Sequence, residues 1–341
     1  MGTTPYLHLD TAVMAANIAA MAEHAHRFGM ALRPHAKTHK SLAIAERQLA
    51  AGATGLTVAT IGEAEVFAAV CSDLFIAYPL WVDSDAAARL TALAESGIRL
   101  RVGVDSLAGG RTLLGLPLEV MVEIDSGAHR TGVGPAEAGV LAAALAERGA
   151  SVLGVFTFPG HSYSPGSQES AAAEEALALQ TAAEALRTVG IEPTVLSGGS
   201  TPSARFTTTV ATELRPGVSV FGDAQQIELG TIRPEQVALT VVSTVVSHAG
   251  GRVICDAGSK ALGADRATWA GGYGHVWDQP EARVVALSEH HATITWPGAL
   301  PALGSTVRLI PNHACNTVNL ADSYTLSTGQ SWPIEARGRN N

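Results

Sequence analysis

The chain has few cysteines and no long apolar run, and each shortage excludes a class of protein. Its three cysteines, Cys71, Cys255 and Cys315, are too far apart for a disulfide framework and suit a reducing compartment. The N-terminus lacks the basic and apolar regions of a secretory signal peptide. No apolar run reaches the roughly 18 residues that a membrane span needs. We therefore expect a cytoplasmic protein that does not bind membranes.

Positive charge is also scarce. Lysine and arginine number 22 against 31 acidic residues, which gives a formal net charge of −9 and argues against nucleic acid as a partner. Hydrophobic residues make up 47% of the 341 residues and charged residues only 16%, so the chain can bury a large core. Its length predicts one large α/β domain together with a smaller domain.

Strand-like and helix-like segments alternate over the first two thirds of the chain. Eight segments have the apolar, β-branched character of buried strands: Ala31–Lys37, Gly55–Thr60, Leu74–Pro79, Ile98–Asp105, Leu118–Asp125, Val152–Phe158, Glu192–Ser197 and Leu214–Phe221. Helical patterns lie between them, for example Gly62–Val70, Asp83–Ser96, Ala136–Arg148 and Gln168–Val189. About eight β-α units in roughly 200 residues predict a TIM-type (β/α)8 barrel. A doubly wound open sheet is the alternative, but no Gly-x-Gly-x-x-Gly motif follows the first strand.

The linker between Asp105 and Leu118 breaks this alternation. It is Gly-rich and shorter than a crossover helix with its loops, so we expect a vestigial helix or a shortened segment. After about Asp223 the pattern changes to β-branched runs separated by Gly, Pro, His and Asp. We therefore predict a barrel over residues 11–235, a C-terminal all-β domain over 236–331 that also takes 1–10, and a frayed tail over 332–341.

A basic segment, Arg33-Pro-His-Ala-Lys-Thr-His-Lys-Ser41, surrounds a lysine in an unusual position. Lys37 lies where the first predicted strand ends, which places an amine at the C-terminal mouth of a parallel barrel. Crowding by Arg33, His35 and further basic residues favours a neutral, nucleophilic amine of the kind that forms a Schiff base. A basic loop that binds anions or only solvates a turn is an equal alternative.

Other polar residues follow later strands of the predicted barrel. Ser197-Gly-Gly-Ser200 opens a predicted short helix, where backbone N–H groups favour an anion such as phosphate. Gly217, in the next unit, would let the backbone approach the same phosphate. Arg130 and Tyr163 follow two middle strands, although a surface arginine and a packed tyrosine are ordinary alternatives.

The segment Pro311-Asn-His313-Ala-Cys315 contains two good zinc ligands. On an extended segment, residues at i and i+2 point the same way, and two protein ligands leave positions open for water and substrate. By itself a single His-x-Cys is a weak indication of metal binding, because structural zinc sites need four ligands.

A lysine at the first strand end, an arginine at a middle strand end and a Gly-rich phosphate loop suit one cofactor, pyridoxal 5′-phosphate (PLP). The Lys37 segment, Asp125-Ser-Gly-Ala-His-Arg-Thr-Gly132, Gly160-His-Ser-Tyr163, Asp256-Ala-Gly-Ser-Lys-Ala261 and the His313–Cys315 segment resemble those of the D-threonine aldolase and D-serine dehydratase family. The resemblance spans nearly the whole chain. It implies the fold of alanine racemase, a PLP-binding barrel with a β domain, usually as a homodimer.

The resemblance also assigns roles to residues. Lys37 would carry PLP and take the α-proton, Arg130 would face the pyridine nitrogen, and His313 with Cys315 would hold a divalent metal. The other cofactor contacts would be Tyr163, Ser197, Gly198, Gly199, Ser200, Gly217, Val218 and Ser219. Contacts to substrate would come from His35 and Thr38.

Two reactions fit these parts. An arginine stays protonated and leaves the pyridine nitrogen without a proton, so PLP becomes a weaker electron sink and a Lewis acid on the substrate's β-hydroxyl must help. The outcome is either dehydration to a 2-oxo acid and ammonia or retro-aldol cleavage to glycine and an aldehyde. Family members with His-x-Cys are dehydratases, where the thiolate selects zinc, whereas aldolases have His-x-Asp and use Mn²⁺ or Mg²⁺. Cys315 favours the dehydratase, although Thr317-Val-Asn-Leu320 is closer to aldolases.

The expected substrate is a β-hydroxy-D-amino acid, and D-serine, D-threonine and 3-hydroxy-D-aspartate all remain open. A racemase is a less favoured alternative, because it needs an acid–base tyrosine and neither Tyr273 nor Tyr324 lies in a racemase motif. A non-catalytic PLP-binding protein is also less favoured, because it would have no use for the β domain or the metal pair.

Overall fold

The computed structural model of the chain describes residues 3–206 and 208–341, so residues 1, 2 and 207 of the predicted domain ranges lie outside it. The α-helices in the described part are α1 (Thr11–Arg27), α2 (Leu42–Ala50), α3 (Ile61–Phe67), α4 (Ser84–Glu95), α5 (Leu107–Arg111), α6 (Ala138–Ala146), α7 (Gln168–Thr188), α8 (Ala224–Glu228), α9 (Ser259–Leu262) and α10 (Ala314–Val318). None of them is long and apolar enough to cross a membrane.

The strands form two separate sheets. In chain order they are β1 (Tyr6–Leu9), β2 (Ala31–Leu32), β3 (Leu56–Val58), β4 (Asp73–Pro79), β5 (Arg99–Val104), β6 (Glu119–Glu123), β7 (Ser151–Phe156), β8 (Val195–Gly198), β9 (Glu213–Leu214), β10 (Leu239–Ser247), β11 (Val253–Cys255), β12 (Gly274–Val276), β13 (Gln279–Leu287), β14 (Ala292–Thr295), β15 (Thr306–Pro311), β16 (Ser323–Leu326) and β17 (Ser331–Pro333).

The first sheet is the predicted barrel. Its eight strands run parallel in the order β2-β9-β8-β7-β6-β5-β4-β3. An isolated parallel bridge between His35 and Thr57, with a 2.8 Å bond from Thr54 N to Leu32 O, links the two terminal strands. The linker after Asp105 holds only the five-residue helix α5, so the expected vestigial helix is confirmed.

The first and last barrel strands are shorter than predicted. Strand β2 ends at Leu32 and β9 at Leu214, and each is followed two residues later by a proline, Pro34 and Pro216. Proline has no N–H group for the ladder, which explains the early ends. Lys37 therefore lies in a 3-10 turn (Ala36–Thr38) beyond the strand and not at its last residue.

Charged groups occupy part of the barrel interior. Arg33 is 1% exposed, and its guanidinium lies 2.6 Å from Glu213 and 2.9 Å from Asp73. Arg101 also pairs with Glu213, at 3.1 Å. Burial alone would raise the pKa of Glu213, but Arg33 and Arg101 outweigh it and lower that pKa. Arg33 is thus neutralised by buried carboxylates, which corrects the expectation that its charge crowds Lys37.

The second sheet is the predicted all-β domain. Its nine strands follow the order β11-β14-β13-β12-β15-β10-β1-β16-β17, and β11 also pairs with β10. Strand β1 pairs antiparallel with β10 and parallel with β16, so the N-terminal strand joins this sheet as predicted. Alternate side chains along β1 and β16 point into the core, and Leu7, Leu9 and Tyr324 are buried there.

The boundaries of the two compact units differ in detail from the predicted domains. The β unit takes residues up to Ala19, Thr38–Ala43 and Val218–Gly338, and the barrel unit takes Ala20–Lys37, Ile44–Gly217 and Arg339–Asn341. The predicted frayed tail over 332–341 is instead held by contacts. It begins within β17, which pairs with β16, and it buries Ile334 and Ala336.

Candidate active site

The candidate cofactor residues follow the carboxyl ends of different barrel strands. Lys37 follows β2, Arg130 follows β6, Tyr163 follows β7, and the Ser197–Ser200 loop ends β8. Because the strands are parallel, these segments lie at one end of the barrel, where such folds place their chemistry. Lys37 itself is half-buried.

The loop that presents Arg130 is built tightly. The carboxylate of Asp125 accepts backbone N–H bonds from Gly127 at 2.9 Å and His129 at 3.0 Å, and its other oxygen lies 2.7 Å from the His129 ring. A Cβ on Gly132, which has φ of +104°, would lie 2.6 Å from Asp125 N. Only glycine therefore fits there, and the loop has one well-defined path.

An aromatic side chain connects Arg130 with Tyr163. The Arg130 guanidinium lies 5.4 Å from the centre of the Phe158 ring, and the Tyr163 ring centre lies 6.2 Å from the same ring. Arg130 also approaches the buried Glu123 carboxylate at 4.0 Å, while its own side chain stays 58% exposed. Arg130 and Tyr163, predicted from separate loops, are thus brought to one patch around Phe158.

The Ser197 hydroxyl is directed away from the predicted phosphate loop. It donates to Glu213 Oε1 at 2.6 Å and accepts from Arg215 Nε at 2.8 Å. Both partners are buried in the barrel interior. Ser197 is a strand residue whose hydroxyl is directed to Glu213 and Arg215, and its contact with the cofactor stays a prediction.

The glycines of the loop are required by protein packing. A Cβ on Gly198 would lie 2.4 Å from Glu175 Oε1, and one on Gly199 would lie 2.1 Å from Leu214 Cδ1. The Gly199 N–H, predicted as a phosphate donor, instead donates to Glu175 Oε1 at 2.6 Å. The loop is therefore held by a hydrogen bond to Glu175 of α7.

Three buried hydroxyls beside this loop offer the donors that a phosphate needs. Ser200 Oγ lies 2.8 Å from Ser162 Oγ and 2.7 Å from Ser203 Oγ. All three side chains are at most 2% exposed. Hydroxyls can rotate to donate to a new acceptor, so this cluster fits the phosphate of PLP. Of these three serines, only Ser200 was predicted to bind the cofactor. Ser162 lies inside the Gly160–Tyr163 motif and Ser203 lies three residues after Ser200, and these positions could have indicated that they belong to the same site.

Glu175 was not predicted and is the most perturbed acid of the barrel unit. It lies in the middle of α7 and is buried, with 7% of its surface exposed. Burial raises its pKa to about 7, although the Gly199 N–H and Arg215 both act to lower it. Glu175 lies at helical spacing from Ala171, Ala172, Ala178 and Leu179 on the buried face of α7, so this periodicity was the signal that could have found it.

The predicted metal ligands come together in a different way from the one expected. His313 is extended (φ −134°, ψ 111°) and immediately precedes α10, whereas Cys315 lies in the first turn of that helix. The two side chains nevertheless interact, because Cys315 acts to raise the pKa of His313. They therefore meet because the chain turns into a helix, which corrects the expected extended segment.

Two further side chains contact this pair. The Cys315 sulfur lies 3.2 Å from Thr38 Oγ1, and His313 Nδ1 lies 3.2 Å from Asp223 Oδ2. Thr38, predicted to contact substrate, is fully buried against this cysteine. No group of three or more His, Cys, Asp or Glu side chains with metal-binding geometry occurs in the described residues. A metal here would have His313 and Cys315 as its protein ligands and open positions besides, which fits a catalytic ion.

The pair is electrostatically coupled. Burial lowers the pKa of His313, but Cys315 and Asp223 outweigh burial and raise it well above its ordinary value. Metal binding requires the neutral imidazole, so it competes with protonation of His313.

Two family models match the chain. The alanine racemase N-terminal domain matches residues 9–225, and a serine dehydratase domain matches residues 238–327. The D-threo-3-hydroxyaspartate dehydratase of Delftia sp. (strain HT23) is 37% identical over 92% of this chain and 91% of its own length. The D-threonine aldolase of Arthrobacter sp. is 34% identical over 98% of this chain and 93% of its own length.

The solved structures agree with these matches. The structure of the Delftia dehydratase superposes with a TM-score of 0.90 at 33% identity and covers 98% of both chains. Another structure of D-threo-3-hydroxyaspartate dehydratase is of a cysteine-to-alanine mutant in the metal-free form. The chain is thus similar over nearly its whole length to two kinds of protein, a dehydratase and an aldolase.

Proposed function

Because the chain belongs to the family that joins an alanine racemase N-terminal domain to a D-serine dehydratase domain, we propose that it is a PLP- and metal-dependent dehydratase. Its substrate is a β-hydroxy-D-amino acid such as 3-hydroxy-D-aspartate or D-serine, and its products are a 2-oxo acid and ammonia. The paired His313 and Cys315 side chains carry this proposal, because a thiolate ligand favours a soft ion such as zinc.

The barrel residues have separate roles in this proposal. Bound PLP supplies covalent attachment for the substrate amine and withdraws electrons from Cα. Lys37 holds the cofactor through its amine and takes the α-proton. Arg130, held on the tight loop beside Phe158, keeps the pyridine nitrogen unprotonated, because a guanidinium does not give up its own proton near neutral pH. The hydroxyls of Ser162, Ser200 and Ser203 donate to the phosphate.

The metal pair provides the second half of the chemistry. A divalent ion supplies a Lewis acid toward a β-hydroxyl group. His313 and Cys315 hold it, with Zn²⁺ as the proposed ion and Mn²⁺ or Mg²⁺ as alternatives. The cysteine-to-alanine mutant of the related dehydratase, solved in a metal-free form, supports a metal in this family.

The second candidate is a retro-aldol lyase of the D-threonine aldolase type. The 34% identity to the Arthrobacter aldolase over 98% of this chain favours it. The two reactions share Lys37, PLP and the metal, and they differ in whether the Cβ–O or the Cα–Cβ bond breaks. Cys315 favours dehydration, because the His-x-Cys segment resembles that of the dehydratase members of the family.

A racemase is less well supported. The hydroxyl of Tyr324 donates to the carbonyl of His39 at 2.5 Å, and its side chain is completely buried. Such a tyrosine cannot act as an acid–base group for another subunit. Tyr273 packs against Arg266, with the guanidinium 5.0 Å from the ring centre. We propose a homodimer, as is usual for this family.

The test is a product assay on the PLP-loaded enzyme. A panel of D-serine, D-threonine and both diastereomers of 3-hydroxy-D-aspartate is supplied with Zn²⁺, Mn²⁺ or Mg²⁺. Ammonia with pyruvate, 2-oxobutyrate or oxaloacetate supports the dehydratase. Glycine with an aldehyde as the main products would make the protein an aldolase instead. Interconversion of D- and L-isomers without either product set would favour the racemase.

A further inference from the structure

Asp223 is a buried carboxylate that contacts one of the two proposed metal ligands. Its side chain is completely inaccessible to solvent. Oδ1 accepts the backbone N–H of Gln226 at 3.0 Å and so caps α8. Oδ2 accepts the backbone N–H of Ala314 at 3.1 Å and lies 3.2 Å from His313 Nδ1.

Capping of α8 uses only one of the two Asp223 oxygens. Asp83 caps α4 with one oxygen, on Ala86 N at 2.9 Å, and remains exposed. Thr60 and Ser106 cap α3 and α5 with a hydroxyl alone. A cap therefore requires neither a second oxygen nor burial. Burying a carboxylate is costly unless its oxygens are hydrogen-bonded, and the second oxygen of Asp223 meets this need with the Ala314 N–H at the start of α10 and with the His313 ring.

The imidazole of His313 needs an external group to set its orientation. His313 occupies the N-cap position of α10, but its side chain makes no capping bond to that helix. The carboxylate of Asp223 faces Nδ1, and the same oxygen is fixed by the adjacent Ala314 N–H. An imidazole that directs Nδ1–H to a carboxylate has Nε2 left as the metal-binding atom.

We propose that Asp223 is a positioning residue that selects the His313 tautomer and presents Nε2 to the metal. This inference rests on the proposed function, because that function assigns the metal to His313 and Cys315. Asp223 itself is not assigned as a ligand, since Oδ1 accepts the Gln226 N–H and Oδ2 accepts the Ala314 N–H.

Metal affinity tests the proposal without any turnover. Zn²⁺ is titrated into the chelator-treated, PLP-loaded protein against a chromophoric competitor, for the wild type, Asp223→Asn and Asp223→Ser. We expect both variants to bind Zn²⁺ about 10- to 100-fold more weakly, the usual effect of losing a partner of a ligating histidine. Asp83→Asn changes a carboxylate cap elsewhere and is expected to leave Zn²⁺ affinity unchanged. Equal affinity in folded Asp223 variants and the wild type would overturn the proposal.

A spectroscopic measurement on the wild type covers the case in which the variants do not fold. The protein is labelled with ¹⁵N-histidine and loaded with Zn²⁺, and the ring signals of His313 are assigned by their loss in His313→Ala. We expect Nδ1 to be protonated and Nε2 to be metal-bound. Ligation through Nδ1 would overturn the inference. No Zn²⁺ binding by the wild type would instead remove the metal from the proposed function and withdraw the inference with it.

Discussion

Replacing Glu175 with glutamine should make the stability of the protein less dependent on pH. The folded protein raises the pKa of Glu175 from the usual 4.5 to about 7, so the ionised form is disfavoured in the fold. Below pH 4.5 the acid is protonated in the folded and unfolded states and costs nothing. As the pH rises from 4.5 to 7 the unfolded state gains by ionising, so the folded protein loses stability, and the full loss is reached above pH 7.

The size of this loss follows from the two pKa values. One pKa unit corresponds to about 1.4 kcal/mol, so the rise from 4.5 to about 7 corresponds to about 3 kcal/mol in the free energy of unfolding. Glutamine cannot ionise, but its amide oxygen can still accept the Gly199 N–H. Glu175→Gln should therefore gain about 2.5 kcal/mol over the wild type between pH 5 and pH 8, because part of the loss has already occurred at pH 5, on top of any constant difference.

The assay is urea unfolding of the PLP-free protein at several pH values from 5 to 8, with the difference between variant and wild type plotted against pH. Glu184→Gln, an exposed change on the same helix, controls for the loss of a helix glutamate. A difference between Glu175→Gln and the wild type that stays constant across this range would refute the reasoning. It would mean that Glu175 has no raised pKa in the fold.

Three further predictions concern the cofactor and the metal. Lys37→Ala should abolish covalent PLP binding and turnover, and borohydride reduction with peptide mapping should label Lys37; label on Lys40 or Lys260 would contradict this. Ser200→Ala should weaken PLP binding about 5- to 10-fold, as expected for the loss of one hydrogen bond of about 1 kcal/mol, and unchanged PLP retention would contradict the phosphate assignment. EDTA should abolish activity but leave PLP bound, Zn²⁺ should restore it better than Mg²⁺, and Cys315→Asp should shift the preference toward Mn²⁺ or Mg²⁺. Full activity after exhaustive chelation would count against a metal.

The positions of the eight barrel strands could be predicted because parallel strands are buried on both faces. Their sequences contain short continuous apolar runs, such as residues 74–78 in β4, which can be recognised without knowledge of the packing. The ends of the strands were harder to predict. Pro34 and Pro216 shorten β2 and β9. The effect of a proline depends on whether a carbonyl of the neighbouring strand faces the position where its N–H group is missing, and the sequence does not show this.

The loops that carry Lys37, Arg130 and Tyr163 could also be predicted, because parallel strands place all their carboxyl ends together. The identity of His313 and Cys315 as neighbours followed from their closeness in sequence. Their local conformation did not, because a strand and a helix start can each bring residues two apart into contact, and only the structure shows which one occurs.

The sequence by itself thus determined the barrel, the β domain and the loops that hold the candidate site. The spacing of apolar residues and the succession of segments along the chain can both be read from the sequence. Tertiary structure alone decided which polar group meets which. Asp223 lies 90 residues before His313, and Glu175 lies 24 residues before the Gly199 N–H that it accepts. Hydrogen bonds are short and directional, so such partners are fixed by packing in three dimensions, about which a pattern along the chain carries no information.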